Sequence, residues 1–193
     1  MNSFVFNSII YIMETTKNKL SPYQISFFNR LSTYLDTKLY FFGSIQRNDY
    51  FPESSDIDVD IFTNNESATI VQMMNFLHVE REDFKQFVWK LNVNGKVAKG
   101  HKLMYKEPEN NLAVEFSIYN ETYKPAVLYE HSQKSVIPFY ASWLLIFVKV
   151  LYYNLAWIPG AWYTQLKRFI LSYMIAKDHD HFVVIDYKNK KSS

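Results

Sequence analysis

The chain of 193 residues contains no cysteine. Disulfide scaffolds, thiolate zinc sites, iron–sulfur clusters and cysteine nucleophiles are excluded together. Charge of either sign is nearly balanced: 21 lysines and arginines face 19 acids, a formal net charge of +2. Nothing global draws the chain to nucleic acid, so any such binding must rest on a local patch. Internal repeats are absent, and biased composition is confined to the lysines between Lys188 and Lys191. The N-terminal apolar run from Phe4 to Met13 has no basic residue before it and no small-residue cleavage pattern after it. It makes a poor secretory signal, and the expected address is intracellular and reducing, the cytoplasm. A second apolar run, Phe139 to Trp157, is long enough to raise the question of a membrane span. It carries Lys149, Asn154 and several tyrosines, and reads better as a buried helix of a globular protein.

What the chain does have is apolar and aromatic material. Hydrophobic residues make up 48% and aromatics 18%, enough to build a packed core at one-domain length. Ser21-Pro22-Tyr23-Gln24 is a helix start with a capping serine, proline at the first helical position and glutamine at the capping-box position. Ile25, Phe28, Leu31 and Leu35 continue it at helical spacing, to about Asp36. Lys38 to Phe42 reads as a short strand ending at Gly43-Ser44. Asp56 to Phe62 alternates strictly, with Ile57, Val59 and Ile61 on one face and three aspartates on the other. Asn64 or Asn65 caps a helix carrying Ala68, Val71, Met74 and Leu77. Asn94-Gly95 joins Phe87–Val93 to Lys96–Tyr105 as a hairpin. Leu112 to Tyr119 is a further strand, with Leu112, Val114, Phe116 and Ile118 on one side and Ala113, Glu115, Ser117 and Tyr119 on the other. Helices follow at about Glu121–Ser132, Phe139–Ala156 and Ala161–Lys177, the last two forming a hairpin packed by Trp143, Trp157 and Trp162. His181 to Tyr187 reads as an edge strand. This order predicts an α+β fold, a mixed β-sheet with flanking helices and a C-terminal helical lobe. The expected division is an extension over 1–20, a catalytic domain over 21–120 and the lobe over 121–193.

Three aspartates on one face of one strand repel each other and gain nothing in a core, so a cation should compensate them. Hard divalent cations prefer carboxylate oxygens, and magnesium commonly takes one or two of them while leaving positions for phosphate. Asp56 and Asp58, two residues apart, project the same way. Glu115 lies on the more polar side of a later strand and can join them if the strands pair. Upstream, Gly43 lets backbone approach a ligand closely, the amides after it suit phosphate, and Arg47 is placed to neutralise a triphosphate.

Phe42-Gly43-Ser44, eleven residues, then Asp56-Ile57-Asp58-Val59 resembles the signature of the nucleotidyltransferase superfamily that includes DNA polymerase beta, here of the minimal nucleotidyltransferase type. Val114-Glu115-Phe116 resembles the segment that carries the family's third acid. The resemblance spans about Leu39 to Tyr119. It implies transfer of a nucleoside monophosphate from a nucleoside triphosphate to a hydroxyl, with release of pyrophosphate, supported by two magnesium or manganese ions. It implies that Asp56 and Asp58 bind both ions, that Glu115 helps bind the catalytic one and orients the acceptor, and that Gly43 and Ser44 hold the outer phosphates. Asp60 departs from the pattern, which has a hydrophobic residue there. It is either a further metal ligand or a sign that Asp58 and Asp60 form the working pair.

Other features keep two readings. Lys149 in the most apolar helix is a triphosphate contact or a lysine snorkelling to the surface. Lys85, Lys90, Lys96, Lys99, His101, Lys102 and Lys106, with Trp89 and Tyr105 among them, hold polyphosphate or nucleic acid, or else discourage edge pairing of a solvated hairpin. His179-Asp180-His181 reads as a surface turn. The acceptor is open between protein, small molecule and polynucleotide; the small size favours untemplated transfer. The competing function is a catalytically inactive module of the same fold that binds a protein partner, as an antitoxin does. A third reading anchors the run Phe139 to Trp157 in a membrane.

Overall fold

The computed structural model describes residues 13–52, 54–91, 95–135, 139–174 and 182–185. Helix α1, Pro22–Leu35, begins where the sequence signals it. The Ser21 hydroxyl accepts from the Gln24 amide at 3.2 Å, and the Gln24 side-chain oxygen accepts from the Ser21 amide at 2.9 Å. Both orphan donors are thereby satisfied, and Asp36 in the left-handed region (φ 49°) ends the helix. Strand β1, Leu39–Phe42, runs into a 3-10 turn over Gly43–Gln46. Strand β2, Ile57–Thr63, and helix α2, Glu66–Leu77, follow, with the Asn65 side chain capping α2 through the Ala68 amide at 3.1 Å.

Strands β3 (Lys85–Lys90), β4 (Val97–Glu107) and β5 (Leu112–Asn120) complete the main sheet. Helices α3 (Lys124–Ser135), α4 (Phe139–Lys149) and α5 (Gly160–Met174) come next, with a π-helical turn over Val150–Asn154 after α4. Strand β6, Phe182–Ile185, returns to the sheet beside β3. The strand order is β1-β2-β5-β4-β3-β6. Among the described residues β2 and β5 pair in parallel and the other pairs are antiparallel.

Alternation along the strands separates two cores. On one face, Ile57, Val59 and Ile61 of β2 and Val114, Phe116 and Ile118 of β5 pack under α1 and α2. On the other, Tyr40, Phe62, Tyr119, Phe87 and Trp89 pack against Val127 and Leu128 of α3. Asp58 and Asp60 belong to this second face. The helical lobe has a small core of its own from Ala141, Leu145, Val148 and Ile170. Residues before α1 are tied to the turn after β1, where the Asn18 side-chain amide donates to the carbonyls of Ile45 (2.8 Å) and Arg47 (2.7 Å).

Several expectations need correction. The buried stripe of α2 is Ile70, Met73 and Leu77, while Val71 is exposed. Two apolar stripes lie one residue apart on this helix, and the sheet accepts the one centred on Ile70. In α1, likewise, Phe27 is buried and Ile25 exposed. The β3–β4 hairpin closes earlier than expected: the Leu91 amide donates to the Lys96 carbonyl (2.8 Å) and the Gly95 amide to the Leu91 carbonyl (2.9 Å). Asn94 lies outside the described residues, as does His179-Asp180-His181. Trp143, Trp157 and Trp162 do not pack the helical hairpin; they are 64–74% exposed. Ala141, Leu145, Val148 and Ile170 form that interface, with Ile158, Tyr163 and Leu166 partly buried against them. Among the described residues no helix is long and apolar enough to cross a membrane.

Candidate active site

The parallel register of β2 and β5 sets Asp58 directly beside Glu115. Residues in register on neighbouring strands project to the same face, so the two carboxylates stand side by side. Burial pushes Asp58 up to about 7, and the negative charge of Glu115 adds to the effect. Three cations act in the opposite direction: Lys167 of α5, Arg47 and Lys102. The Glu115 carboxylate receives the Lys102 ammonium at 2.6 Å.

Gly43 supplies the wall of this pocket. Its φ of +72° is a left-handed conformation, and a Cβ there would collide with the Asp58 carboxylate. Glycine is needed twice over at this position, for the turn and for the room. Ser44 is buried within the 3-10 turn that follows.

The structure places the remaining candidates unequally. Asp56 is exposed, just ahead of β2, and its charge acts on Tyr153 and Tyr163 of the helical lobe. Arg47 is engaged within the protein: its guanidinium donates to both Asp49 carboxylate oxygens, at 2.8 and 3.1 Å. Lys149 is engaged by the same acid and does not snorkel outward. Its ammonium donates to the Asp49 carbonyl, lies 3.3 Å from the Asp49 carboxylate, and donates to the Ser55 hydroxyl at 3.2 Å. Burial works to raise Asp49, but the bonds and charges of Arg47 and Lys149 outweigh it and hold that carboxyl below its ordinary range. Burial lowers Lys149, and Asp49 only partly offsets this.

Asp60 has a different neighbour from Asp58. It is completely buried, and its Oδ2 lies 3.0 Å from Nε2 of His131 on α3. His131 stacks on Phe42 with ring centroids 3.9 Å apart. Burial raises Asp60 despite the counteracting His131. This aspartate therefore joins the sheet to α3, immediately behind the Phe42-Gly43 wall.

Among the described residues no group of three carboxylates or imidazoles gathers closely enough to hold a metal. Two do come together, Asp58 and Glu115, and oxygen pairs of this kind suit magnesium, which draws its other ligands from water and substrate. The crowded, partly desolvated charge at Asp58 is the physical signature that a cation would relieve. The donor set thus fits a hard divalent ion.

Of the residues that the sequence singles out, the structure brings Gly43, Asp58 and Glu115 together, and it adds Asp49, His131 and Lys167, which the sequence reading does not name. Asp49 had a signal, an acid two residues from Arg47 in a chain with a lysine inside its most apolar helix. Nothing local marked His131 or Lys167, since only the packing of α3 and α5 brings them near β2. In the basic hairpin, Lys102 is bound to Glu115, and His101 Nδ1 lies 3.3 Å from Glu66. That stretch is therefore not a uniform cationic strip.

The sequence model of the nucleotidyltransferase domain matches residues 24–135. No curated protein sequence matches the chain. Among solved structures, the Cid1 poly(U) polymerase has a TM-score of 0.38 at 14% identity, covering 79% of this chain and 49% of that one. The GLD-2/RNP-8 complex gives 0.33 at 13% identity, covering 88% of this chain and 69% of the other. The chain thus spans about half the length of the first of these neighbours. Matched over more than half its residues, across the segments that carry Gly43, Asp58 and Glu115, the chain belongs to the nucleotidyltransferase domain family.

Proposed function

We propose that the chain transfers a nucleoside monophosphate from a nucleoside triphosphate to a hydroxyl acceptor, without a template, releasing pyrophosphate. The observation that carries this reading is the side-by-side placement of Asp58 and Glu115 against the backbone of Gly43. In the reaction the acceptor hydroxyl gives up its proton to water, its oxygen bonds to the α-phosphorus, the bond from that phosphorus to the bridging oxygen breaks, and pyrophosphate leaves with the bridging oxygen. Asp58, Glu115 and the exposed Asp56 are the residues that would hold magnesium or manganese. Ions bound there would neutralise the triphosphate and lower the pKa of the attacking hydroxyl.

The chain's own part is to position and to balance charge. Gly43 keeps the turn close to the Asp58 carboxylate, so the amides of Gly43 and Ser44 can face the outer phosphates. Lys167, whose charge already acts on Asp58, is the freshest cation for a triphosphate. Arg47 and Lys149 reach phosphate only by loosening their bonds to Asp49, so their first role is to hold the 47–55 loop in shape. Glu115 orients the acceptor hydroxyl, with Lys102 holding its carboxylate in place. Asp60 is assigned to the junction with His131 rather than to a metal.

The test is incubation with each labelled nucleoside triphosphate, magnesium or manganese, and a panel of protein, small-molecule and polynucleotide acceptors. Label transfer with matching pyrophosphate release, lost in Asp58→Asn, is the expected result. Absence of both across the whole panel would replace the enzyme by a binding module.

A further inference from the structure

We infer, taking the transferase reading above as given, that the acceptor is a single-stranded polynucleotide. Its terminal nucleotide lies over Met104, beside Glu115, and Lys85 and Lys106 hold its phosphates. Glu115 has two neighbours in register, Asp58 on β2 and Met104 on β4. The Asp58 side is closed by the turn at Gly43, which is assigned above to the outer phosphates. In nucleotidyl transfer the attacking and leaving oxygens lie roughly in line across the phosphorus. With pyrophosphate leaving toward Gly43, the acceptor comes in from the β4 side.

That side of the sheet is open. On this face Phe87, Trp89, Ala98 and Tyr119 are buried with Val127 and Leu128 of α3. Further along β4 the cover gives out, and Met104, in register with Glu115, is 42% exposed. Even-numbered residues of β4 share this face, so Lys102 and Lys106 flank Met104, about 7 Å to either side along the strand. Lys85 of β3 stands in register with Lys102. Like charges directly opposite each other are destabilising unless anions offset them. Glu115 supplies that anion for Lys102, at 2.6 Å. Lys85 and Lys106 are exposed and form no ion pair among the described residues. The acids nearest to them in sequence are engaged elsewhere. Asp83 accepts from the Glu80 amide, and Glu107 accepts from Tyr23 and Asn110.

Charge, spacing and an apolar platform select the strand together. Beyond Glu115, the only charged side chains that β4 and β3 place on this face are lysines. They repel a cationic acceptor and attract phosphate. Lys85 and Lys106 lie about 14 Å apart along the strand direction, with Met104 between their levels, so a row of phosphates matches them better than a single one. Single-strand binding combines these parts, cations that track the backbone and an apolar surface against which a base rests. Lys90 and Lys99 of the same hairpin belong to the opposite face, the one that carries Leu103. They are the natural controls.

Fluorescence anisotropy of the full chain with a labelled polyadenylate RNA of about ten nucleotides, without triphosphate or metal, tests this. Salt-dependent binding is expected. Lys85→Gln and Lys106→Gln should each lower the slope of log affinity against log salt by about 0.7, and together weaken binding about tenfold or more at physiological salt. Lys90→Gln and Lys99→Gln should change neither. All four variants should melt with the parent, because the altered side chains are exposed. Met104→Ala should weaken binding without altering the slope, since it removes a surface and no charge. In the transfer assay the Lys85→Gln, Lys106→Gln double variant should raise KM for the strand and leave KM for the triphosphate unchanged. No binding of the strand, or equal losses from both faces, overturns the inference. So does label transfer confined to protein or neutral small-molecule acceptors, which leaves the transferase reading standing. Strand binding that Lys85→Gln and Lys106→Gln weaken, with no transfer to any acceptor, keeps the binding face and removes the transferase reading instead.

Discussion

The carboxylate of Asp58 lies in the space where a side chain at Gly43 would have to be. One residue thus sets both the turn after β1 and the position of the central acid on β2. Gly43→Ala puts a methyl group into that carboxylate and forces a non-glycine residue to φ +72°. The left-handed conformation alone costs about 1–2 kcal/mol. Denaturant titration should show at least that loss of stability. Transfer activity should fall further than the folded fraction does, because the displaced group is Asp58 itself. Equal stability and activity in Gly43→Ala would refute the close approach.

Asp58 has a pH signature. Its carboxyl is raised to about 7 from an ordinary value of 3.8. Between those two values the folded state binds more protons than the unfolded state, so the group's contribution falls as pH rises from about 4 to 7, then levels off. Asp58→Asn removes the partly desolvated charge. Without divalent ions its melting temperature should exceed the parent's above pH 7, with the gap closing toward pH 4. Magnesium should raise the parent's melting temperature and leave the variant's unchanged. Transfer in the variant should drop by about 10²–10³-fold or more. A pH-independent gap in melting temperature would show that Asp58 is not held in this crowded state.

The contrast between Asp58 and Asp49 shows what a sequence discloses. Alternation and spacing reveal strand faces, so Ile57, Val59 and Ile61 read as core and Asp58 as facing elsewhere. Gly43 is legible for the same reason, being a break at the end of an apolar strand. Lys149, the distant partner of Asp49, and His131, the partner of Asp60, lie 100 and 71 residues away in sequence, and their approach depends on how helices lie on the sheet. Helix faces were legible only to within one stripe. Val71 and Ile70 are both apolar, and the sheet, not the helix, chooses between them. Apolarity alone does not place the tryptophans of the lobe in its interior. Hydrophobic residues at a surface are common, and Trp143, Trp157 and Trp162 are among them here.

Asp49 is the anion between two buried cations. Asp49→Asn leaves Arg47 and Lys149 without a counter-charge, and should destabilise the fold by about 3–5 kcal/mol. Lys149→Met alone should also destabilise, because Asp49 loses one partner. The double variant with Asp49→Asn should cost less than the sum of the two, since the groups share one interaction. The pH dependence has the opposite sign to that of Asp58. Asp49 is held below its ordinary range, so its stabilisation is present at neutral pH and is lost as pH falls through its folded value. Strictly additive effects in the cycle would remove Asp49 from the junction between loop and lobe.

Asp60 separates structural acids from ligand acids on a single strand. It shares a face with Asp58 but is sealed beneath α3, 3.0 Å from His131, whose ring stacks on Phe42. Asp60→Asn should therefore keep the magnesium-induced rise in melting temperature, which Asp58→Asn loses. Its cost should appear in the stability of the α3 junction, measured by hydrogen exchange of α3 amides, and in a modest activity loss through the shifted Phe42-Gly43 wall. His131→Asn should reproduce that exchange pattern, since it removes the other half of the same contact. If Asp60→Asn abolished magnesium binding while α3 stayed protected, the ligand set would have to move two residues along β2. That outcome would make Asp58 and Asp60 the working pair.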